Sequence, residues 1–416
     1  MTVSLDIESI SSSLQVESFK YALLKYDSAN SSYDYDNPVN EGNFSNFVLG
    51  KNIIGVDIEV GAKVNARYRF VVYIDGNVYN NSSMMNSRLN SNLELVASYN
   101  KVSTASTYVS NLYNDGSSIT TVNIGGSSSN PQVKLNATQG IMLDNNGEYR
   151  YYGANPNNYV RFNGELWRII GVSDVDNGTG NKQRRMKIIR NGTLGRFSFD
   201  SSDSSIKSGM GLNDWVNSDI NSELNDIYYN RGIGICFNGR YNATTTCDFS
   251  NVGLGTEAKS MISEALYNLG AFYDSNNKFA SDYYSAERSN IVYSCSDESC
   301  GSVRVSTWVG VVGLMYPSDY LYATDLSVCT SYASAYNDSN CMDNEWILSI
   351  SDFWNWTITP RIDNSGMAFF IHYDGRVQWT NNAYNAGDIN PVVYLNNDVN
   401  IVLGTGTSSD PYILSF

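Results

Sequence analysis

The six cysteines constrain the fold of this chain more than any other feature. They form three pairs that are close in sequence: Cys236 and Cys247, Cys295 and Cys300, Cys329 and Cys341. An even number of cysteines in close pairs predicts three short disulfide loops. Zinc is the alternative, but zinc sites prefer Cys-x-x-Cys pairs or accompanying histidines, and the chain holds one histidine, His372. Disulfides indicate an oxidising compartment, so we expect an extracellular, cell-surface protein.

The charge balance narrows the class of partner. The chain has 42 acidic and 27 basic residues among 416, which gives a net charge of −15. We therefore expect no nucleic-acid partner, because binding a polyanion needs Lys and Arg to displace its counterions. No apolar run is long enough to span a bilayer. The first residues contain no apolar segment of a signal peptide, so we expect any signal or anchor to lie outside this sequence.

The first hundred residues carry the period-two alternation of antiparallel strands. Residues 18–24 and 66–75 alternate in this way, and Asp75-Gly76 follows as a turn signal. These patterns predict an immunoglobulin-like β-sandwich spacer over residues 1–98. Residues 99–130 are rich in Ser, Thr, Asn and Gly and are predicted to be a linker.

Residues 131–416 are predicted to form one large α+β domain. Residues 165–172 and 185–190 flank a Gly- and Asn-rich turn and should pair. Apolar residues at helical spacing predict two helices, over 219–230 and 256–269. The chain then returns to strands, with a hairpin turning at Tyr373-Asp374-Gly375.

Several segments of this second domain resemble one family. They are NPNNYVRFNGELWRIIGV at 155–172, VGLMYPSDY at 312–320, PVVYL at 391–395 and GTGTSSDPY at 404–412. Together they resemble a domain found in secreted proteins of gut Gram-positive bacteria, and they cover roughly residues 131–416. That domain is similar to the C-type-lectin-like fold of formylglycine-generating enzymes and of variable proteins of diversity-generating retroelements.

The resemblance implies two helices beside a twisted antiparallel core, with the chain ends held together by paired strands. It also implies a solvent-facing binding surface in the C-terminal hairpin region, with positions that a retroelement substitutes. Related sequences carry Val-Arg-Pro where this chain has Ile389-Asn390-Pro391, and their hairpins are richer in Asn and Ser. A diversified surface and ordinary divergence both account for these departures.

The hairpin region supplies the candidate ligand-binding residues. In its strands Phe369, Ile371 and Val377 are expected to point inward, and Phe370, His372, Arg376 and Gln378 outward. Trp, Tyr and Arg are typical anchors of interfaces, and we expect Trp379 to be exposed and Trp354 and Trp356 to be buried. The predicted ligand-binding residues are Arg361, Asp363, Phe370, His372, Tyr373, Arg376, Gln378, Trp379, Asn381, Asn382, Tyr384 and Asn390.

Catalysis has weaker support in the sequence. A Ser-His-Asp or Cys-His system would have to use His372, which is expected on an exposed hairpin that does not exclude water. The cysteine spacings do not reproduce a reactive thiol pair. Residues 174–180 resemble part of a calcium loop but lack its final acidic ligand, so a solvated turn is the preferred interpretation. We expect no catalytic residue, no metal ligand and no cofactor.

The sequence therefore predicts a monomeric, non-enzymatic adhesin or receptor that binds a protein or glycan. One alternative is a structural component of a pilus or surface layer. The other is a cell-envelope hydrolase with a pair of catalytic carboxylates, since 42 acidic residues offer many pairs.

Overall fold

A computed structural model describes residues 2–27, 32–55, 67–75, 84, 86–96, 103–115, 119–125, 131–201, 211–273, 277–293 and 304–416. The chain divides into two compact units, one within residues 1–102 and one within residues 103–414. The predicted linker at 99–130 is therefore wrong in part, because helix α1 (Ala105–Asn114) and a strand at 119–123 belong to the second unit. The Thr104 side chain caps this helix by accepting from the Thr107 N–H, and Val109 and Tyr113 are buried beneath it.

The first unit is built from antiparallel strands. They are β1 (Thr2–Ile10), β2 (Phe19–Asp27), β3 (Ser32–Tyr33), β4 (Asn40–Asn43), β5 (Gly50–Gly55), β6 (Tyr68–Ile74) and β7 (Leu89–Val96). One sheet has the order β5-β1-β7, and in the other β2 pairs with β3, β4 and β6. Leu5 from the first sheet and Leu23 from the second share one core with Phe44. The strands predicted within 18–24 and 66–75 are confirmed as β2 and β6, whereas Ala66, and Gly76 of the predicted turn, lie outside the described residues.

The second unit begins with a large mixed sheet. Its strands are β8 (Ile119–Asn123), β9 (Gln132–Asn136), β10 (Ile141–Leu143), β11 (Tyr149–Tyr151), β12 (Tyr159–Phe162), β13 (Glu165–Asp176), β14 (Lys182–Arg190), β24 (Val392–Tyr394), β25 (Asn400–Leu403) and β26 (Tyr412–Ser415). The predicted pairing of 165–172 with 185–190 is confirmed as β13–β14. The two ends of the unit meet, since β26 runs parallel to β12 and the Ala105 N–H donates to the Val399 carbonyl at 2.7 Å.

A second sheet of five strands has the order β15-β23-β20-β21-β22. These strands are β15 (Arg196–Ser198), β20 (Asn355–Pro360), β21 (Met367–Ile371), β22 (Val377–Asn382) and β23 (Ala386–Asp388). Two separate hairpins pair β16 (Ile233–Gly239) with β17 (Ala243–Asp248) and β18 (Ala265–Asn268) with β19 (Thr307–Gly310). The described chain is thus a mixed α and β structure in which strands predominate.

The remaining helices are short. They are α2 (Asp219–Ser222), which continues as a π-helical turn (Glu223–Tyr228), α3 (Thr256–Ser260), α4 (Ala280–Glu287), α5 (Pro317–Tyr322) and α6 (Ser339–Met342). The helix predicted over 219–230 is therefore confirmed over most of its length. None of the helices in the described segments is long and apolar enough to cross a membrane.

The helix predicted over 256–269 is wrong beyond Ser260. Ile262 forms a bridge to Leu395, and residues 265–268 pair with β19 instead of continuing the helix. The apolar residues of this segment still reach the core, with Ala265 and Leu269 fully or almost fully buried. Burial was predicted correctly except at Leu266, which is half-buried. Pairing with distant strands outweighs the local helical spacing.

Candidate binding surface

The hairpin β21–β22 is the centre of the predicted binding region. Its turn closes where the His372 N–H donates to the Arg376 carbonyl and the Gly375 N–H donates to the His372 carbonyl, each at 2.9 Å. Gly375 has a φ of +87°, a conformation that residues with a Cβ rarely adopt. The turn predicted at Tyr373-Asp374-Gly375 is therefore confirmed.

The hairpin is buried on both faces near its centre, which corrects part of the predicted site. Phe369, Ile371 and Val377 point into one core cluster, as predicted. Phe370, however, points into the other core cluster and not to solvent. Strand β21 lies between two cores. Alternate side chains along it therefore enter different cores, and neither face of the strand is exposed to solvent.

Two further predicted ligand residues are also buried. Tyr384 is buried, and its hydroxyl accepts from the Asn382 side chain at 2.9 Å. Asn390 is buried, where its amide oxygen accepts from the Asn355 side chain at 2.7 Å. These residues hold the strands together and cannot contact a partner directly, so their assignment to the binding surface is wrong.

The other predicted residues remain accessible and share one region. We call the accessible set the hairpin surface. Tyr373 and Asp363 are exposed, and the rest are half-buried: Arg361, His372, Arg376, Gln378, Trp379, Asn381 and Asn382. Trp379 was expected to be exposed, but it packs against the core cluster that contains Phe369 and is half-buried. Trp354 and Trp356 are buried, as predicted.

Ion pairs fix the side chains at the hairpin turn. Asp374 accepts two hydrogen bonds from the Arg376 guanidinium, at 2.9 and 2.6 Å, and His372 Nδ1 lies 2.7 Å from Asp374 Oδ1. Partial burial acts against the charged carboxylate, but the hydrogen bonds from Arg376 and His372 outweigh it and lower the pKa of Asp374. The Tyr373 ring stacks on His372 with 4.0 Å between ring centroids. The turn thus presents an ordered polar and aromatic group to solvent.

A second ion pair lies at the other end of the hairpin. The Arg361 guanidinium donates to both carboxylate oxygens of Asp363, and its Nη1 also approaches the Trp379 carbonyl at 3.4 Å. The hydrogen bond from Arg361 lowers the pKa of Asp363. Asn381 accepts from the Asn385 side chain at 2.6 Å. Charged and amide groups here hold one another in fixed orientations while their outer edges stay accessible.

Residues that were not predicted from the sequence pack beneath the turn and support it. The Tyr320 hydroxyl, from α5, donates to the Gly375 carbonyl at 2.8 Å. A side chain at Gly375 would collide with Met342 and with the Tyr336 carbonyl, both close to the loop closed by the Cys329–Cys341 disulfide. The only signal in the sequence was the position of this cysteine pair, which did not indicate what the loop contacts.

A neighbouring hairpin borders the same region. The guanidinium of Arg240, in the β16–β17 turn, lies 4.8 Å from the centre of the Tyr384 ring. The Cys236–Cys247 disulfide joins these two strands. Both pairings, Cys236–Cys247 and Cys329–Cys341, are therefore confirmed, whereas Cys295 and Cys300 lie outside the described residues.

A contrasting group of charges is buried in the large sheet and α5. Asp319 accepts from Arg150 at 3.1 Å and also pairs with Lys187, while Arg150 donates to Asp144 and Glu148 at 2.7 and 2.5 Å. We call these five residues the buried charge cluster. Burial acts against ionisation of Asp319, yet the charges of Lys187 and Arg150 outweigh it and lower its pKa. An adjoining cavity of about 10 Å³ has room for about one water molecule.

The segment predicted to be a solvated turn, 174–180, behaves as one. The Asp176 carboxylate accepts from the backbone N–H groups of Gly178 and Gly180, at 2.7 and 3.0 Å. Such bonds to the local backbone are typical of turns that Asp and Asn stabilise. Across the part of the chain that is described, no three His, Cys, Asp or Glu side chains come together as metal ligands would.

The chain was compared with known proteins at the level of families, sequences and structures. No protein-family model, no curated protein and no solved structure matches this chain.

Proposed function

We propose that the chain is an exported binding protein whose second unit engages a protein or glycan through the hairpin surface. The observation that carries the proposal is the ordered turn at 372–376, where Tyr373 and Arg376 face solvent while Tyr320 and the Cys329–Cys341 loop hold the backbone below. Rigid aromatic and arginine side chains bind with little loss of conformational entropy, and they are frequent anchors of interfaces.

The likeness to C-type-lectin-like domains is part of this proposal. It is supported by the meeting of the chain ends through β12, β26 and α1, and by a C-terminal hairpin with an accessible outer side. The first unit would then be an immunoglobulin-like spacer. Two disulfides at a short sequence separation favour an oxidising, extracellular location.

The proposed site suits a retroelement-diversified surface. Along β22, Gln378 and Thr380 alternate with the buried Val377 and with Trp379, which packs against a core cluster. Substitution at the accessible positions would change binding without disturbing the cores. A template repeat in the genome that matches residues 350–395, next to a reverse transcriptase, would establish diversification.

The test compares the full chain with a triple variant, Tyr373→Ala, Arg376→Ala and Gln378→Ala, on a glycan and protein array. Trp379 is left in place because it packs on the core. The matched control is Arg184→Ala, which removes another exposed arginine–carboxylate pair, with Asp174, on the β13–β14 hairpin. We expect the triple variant to bind about tenfold or more weakly and the control to bind normally.

Two results would contradict the proposal. Unchanged binding by a folded triple variant would remove the hairpin surface as the site. Concentration-dependent assembly of the wild-type chain, lost in the triple variant, would favour the structural component of a pilus or surface layer.

A further inference from the structure

The β16–β17 hairpin has an open edge. These two strands form a sheet of their own, and in the described part of the chain β17 pairs with β16 alone. The Cys236–Cys247 disulfide joins the strands covalently. The edge is therefore already formed before any partner arrives, which lowers the entropic cost of binding there.

The register identifies which backbone groups point outward. The Phe249 N–H donates to the Gly232 carbonyl at 3.0 Å, so the hydrogen-bonded positions of the ladder include Cys247 and Thr245. The intervening residues must direct their N–H and C=O groups away from β16. Thr244, Thr246 and Asp248 thus form the row of outward donors and acceptors.

The edge lacks two residue types that commonly prevent strand addition. Residues 243–248 read Ala-Thr-Thr-Thr-Cys-Asp and contain neither Pro nor Lys. Ile233 and Ile235, opposite Asp248 and Thr246, are 66% and 57% exposed. An added strand would extend this β-branched face and cover part of it.

Charge indicates the chemistry of the occupant. Asp248 lies at the end of the edge, and hydrogen bonds from Ser250 lower the pKa of its carboxyl, which keeps it charged. The chain as a whole carries a net charge of −15. A basic segment is therefore attracted to this edge, whereas a second copy of the chain would bring another −15.

We propose that the β17 edge binds an extended basic peptide segment of another protein by strand addition. The segment carries Val, Ile or Thr at alternate positions, beside Thr244 and Thr246, and a Lys or Arg near Asp248. Main-chain hydrogen bonds supply affinity, and the alternating side chains supply specificity. The proposal does not depend on the hairpin surface.

The first test uses a blocked peptide of alternating Val and Thr with one terminal Lys, added to the full chain. Amide hydrogen exchange resolved by residue should slow at Thr244, Thr246 and Asp248, with no change at Thr245 and Cys247, whose amides already face β16. Equal exchange at the three outward amides with and without about 1 mM peptide would overturn the proposal.

A matched pair of variants isolates the backbone contact. Thr246→Pro removes one outward N–H and leaves the ladder with β16 intact, whereas Thr246→Val keeps the N–H. We expect the proline variant to bind the peptide about tenfold more weakly and the valine variant to bind as the wild type. Equal binding by both variants would contradict strand addition.

Modified peptides test the same contact on the unaltered protein, should the proline variant not fold. N-methylation of one alternate set of peptide amides should abolish binding, and methylation of the other set should not. Tolerance of both sets would overturn the proposal. A wild-type dimer in analytical ultracentrifugation that Thr246→Pro dissociates would overturn the choice of occupant in favour of a second copy.

Discussion

Two groups of arginines and carboxylates in the second unit differ chiefly in burial. In the buried charge cluster the side chains of Arg150 and Asp319 are 5% and 2% exposed, whereas those of Arg376, on the hairpin surface, and its partner Asp374 are 36% and 26% exposed. The cluster joins strands and a helix that are far apart in sequence. The hairpin pair joins residues two positions apart. We infer that the first group specifies the fold and the second presents a surface.

Removing the central carboxylate of the cluster should have the largest effect on stability. Asp319→Asn leaves the buried Lys187 and Arg150 without their shared counter-charge, so we expect a loss of about 3–5 kcal/mol in the free energy of unfolding. Urea denaturation of the full chain measures it. A loss of less than about 1 kcal/mol would mean that the cluster does not differ from a surface pair.

Opening the Cys329–Cys341 disulfide should affect both stability and the hairpin surface. The bridge closes a loop with a sequence separation of 12 residues, so Cys329→Ser with Cys341→Ser should cost about 2–3 kcal/mol. Hydrogen exchange should also become faster at Gly375, which rests on this loop. The matched control is Cys236→Ser with Cys247→Ser, which should leave exchange at Gly375 unchanged.

Glu223 is a third case beside the buried charge cluster and the hairpin surface, because its carboxyl is buried but has no ion pair among the described residues. Its Oε1 accepts from the Phe237 N–H, its Oε2 has no partner among the described residues, and burial raises its pKa to about 8. The folded state therefore retains a proton that the unfolded state releases above its ordinary pKa of 4.5. This contribution to stability is complete at low pH and is lost as the pH rises toward 8.

Glu223→Gln should remove that dependence on pH. We expect the wild type to lose on the order of 2 kcal/mol more stability than the variant between pH 5 and pH 8. Denaturation curves of both proteins at the two pH values provide the measurement. Parallel losses in the two proteins would show that Glu223 is ionised in the folded state.

The smallest effect on stability is expected on the hairpin surface. Asp374→Asn removes an accessible pair with Arg376, so unfolding should change by less than about 1 kcal/mol. Binding to any ligand of the hairpin surface should weaken all the same, because Arg376 and His372 lose the group that orients them. A loss of stability as large as that of Asp319→Asn would contradict the inference that only the buried charge cluster specifies the fold.

Local patterns in the sequence predicted the features that depend on local chemistry. The turn at Tyr373-Asp374-Gly375, the pairing of β13 with β14 and two disulfides follow from neighbouring residue types. The burial of Phe370 did not, because alternation does not reveal whether a strand has one buried face or two.

Local sequence patterns could not predict contacts between segments that are far apart in the chain. Asp319 pairs with Arg150 and Lys187 across sequence separations of 169 and 132 residues, and no residue spacing in the sequence indicates these contacts. The helix predicted over 256–269 fails for the same reason, since β19 and Leu395 decide its structure. The open edge of β17 becomes visible only once the sheet order is known.

Hydrogen-exchange mass spectrometry of the full chain with a ligand identified on the array tests the central claim most directly. We expect slower exchange in peptides that cover residues 367–382, with no change in peptides that cover the buried charge cluster around Arg150 and Lys187. Slower exchange confined to other segments, with residues 367–382 unaffected, would contradict the assignment of the hairpin surface as the binding site.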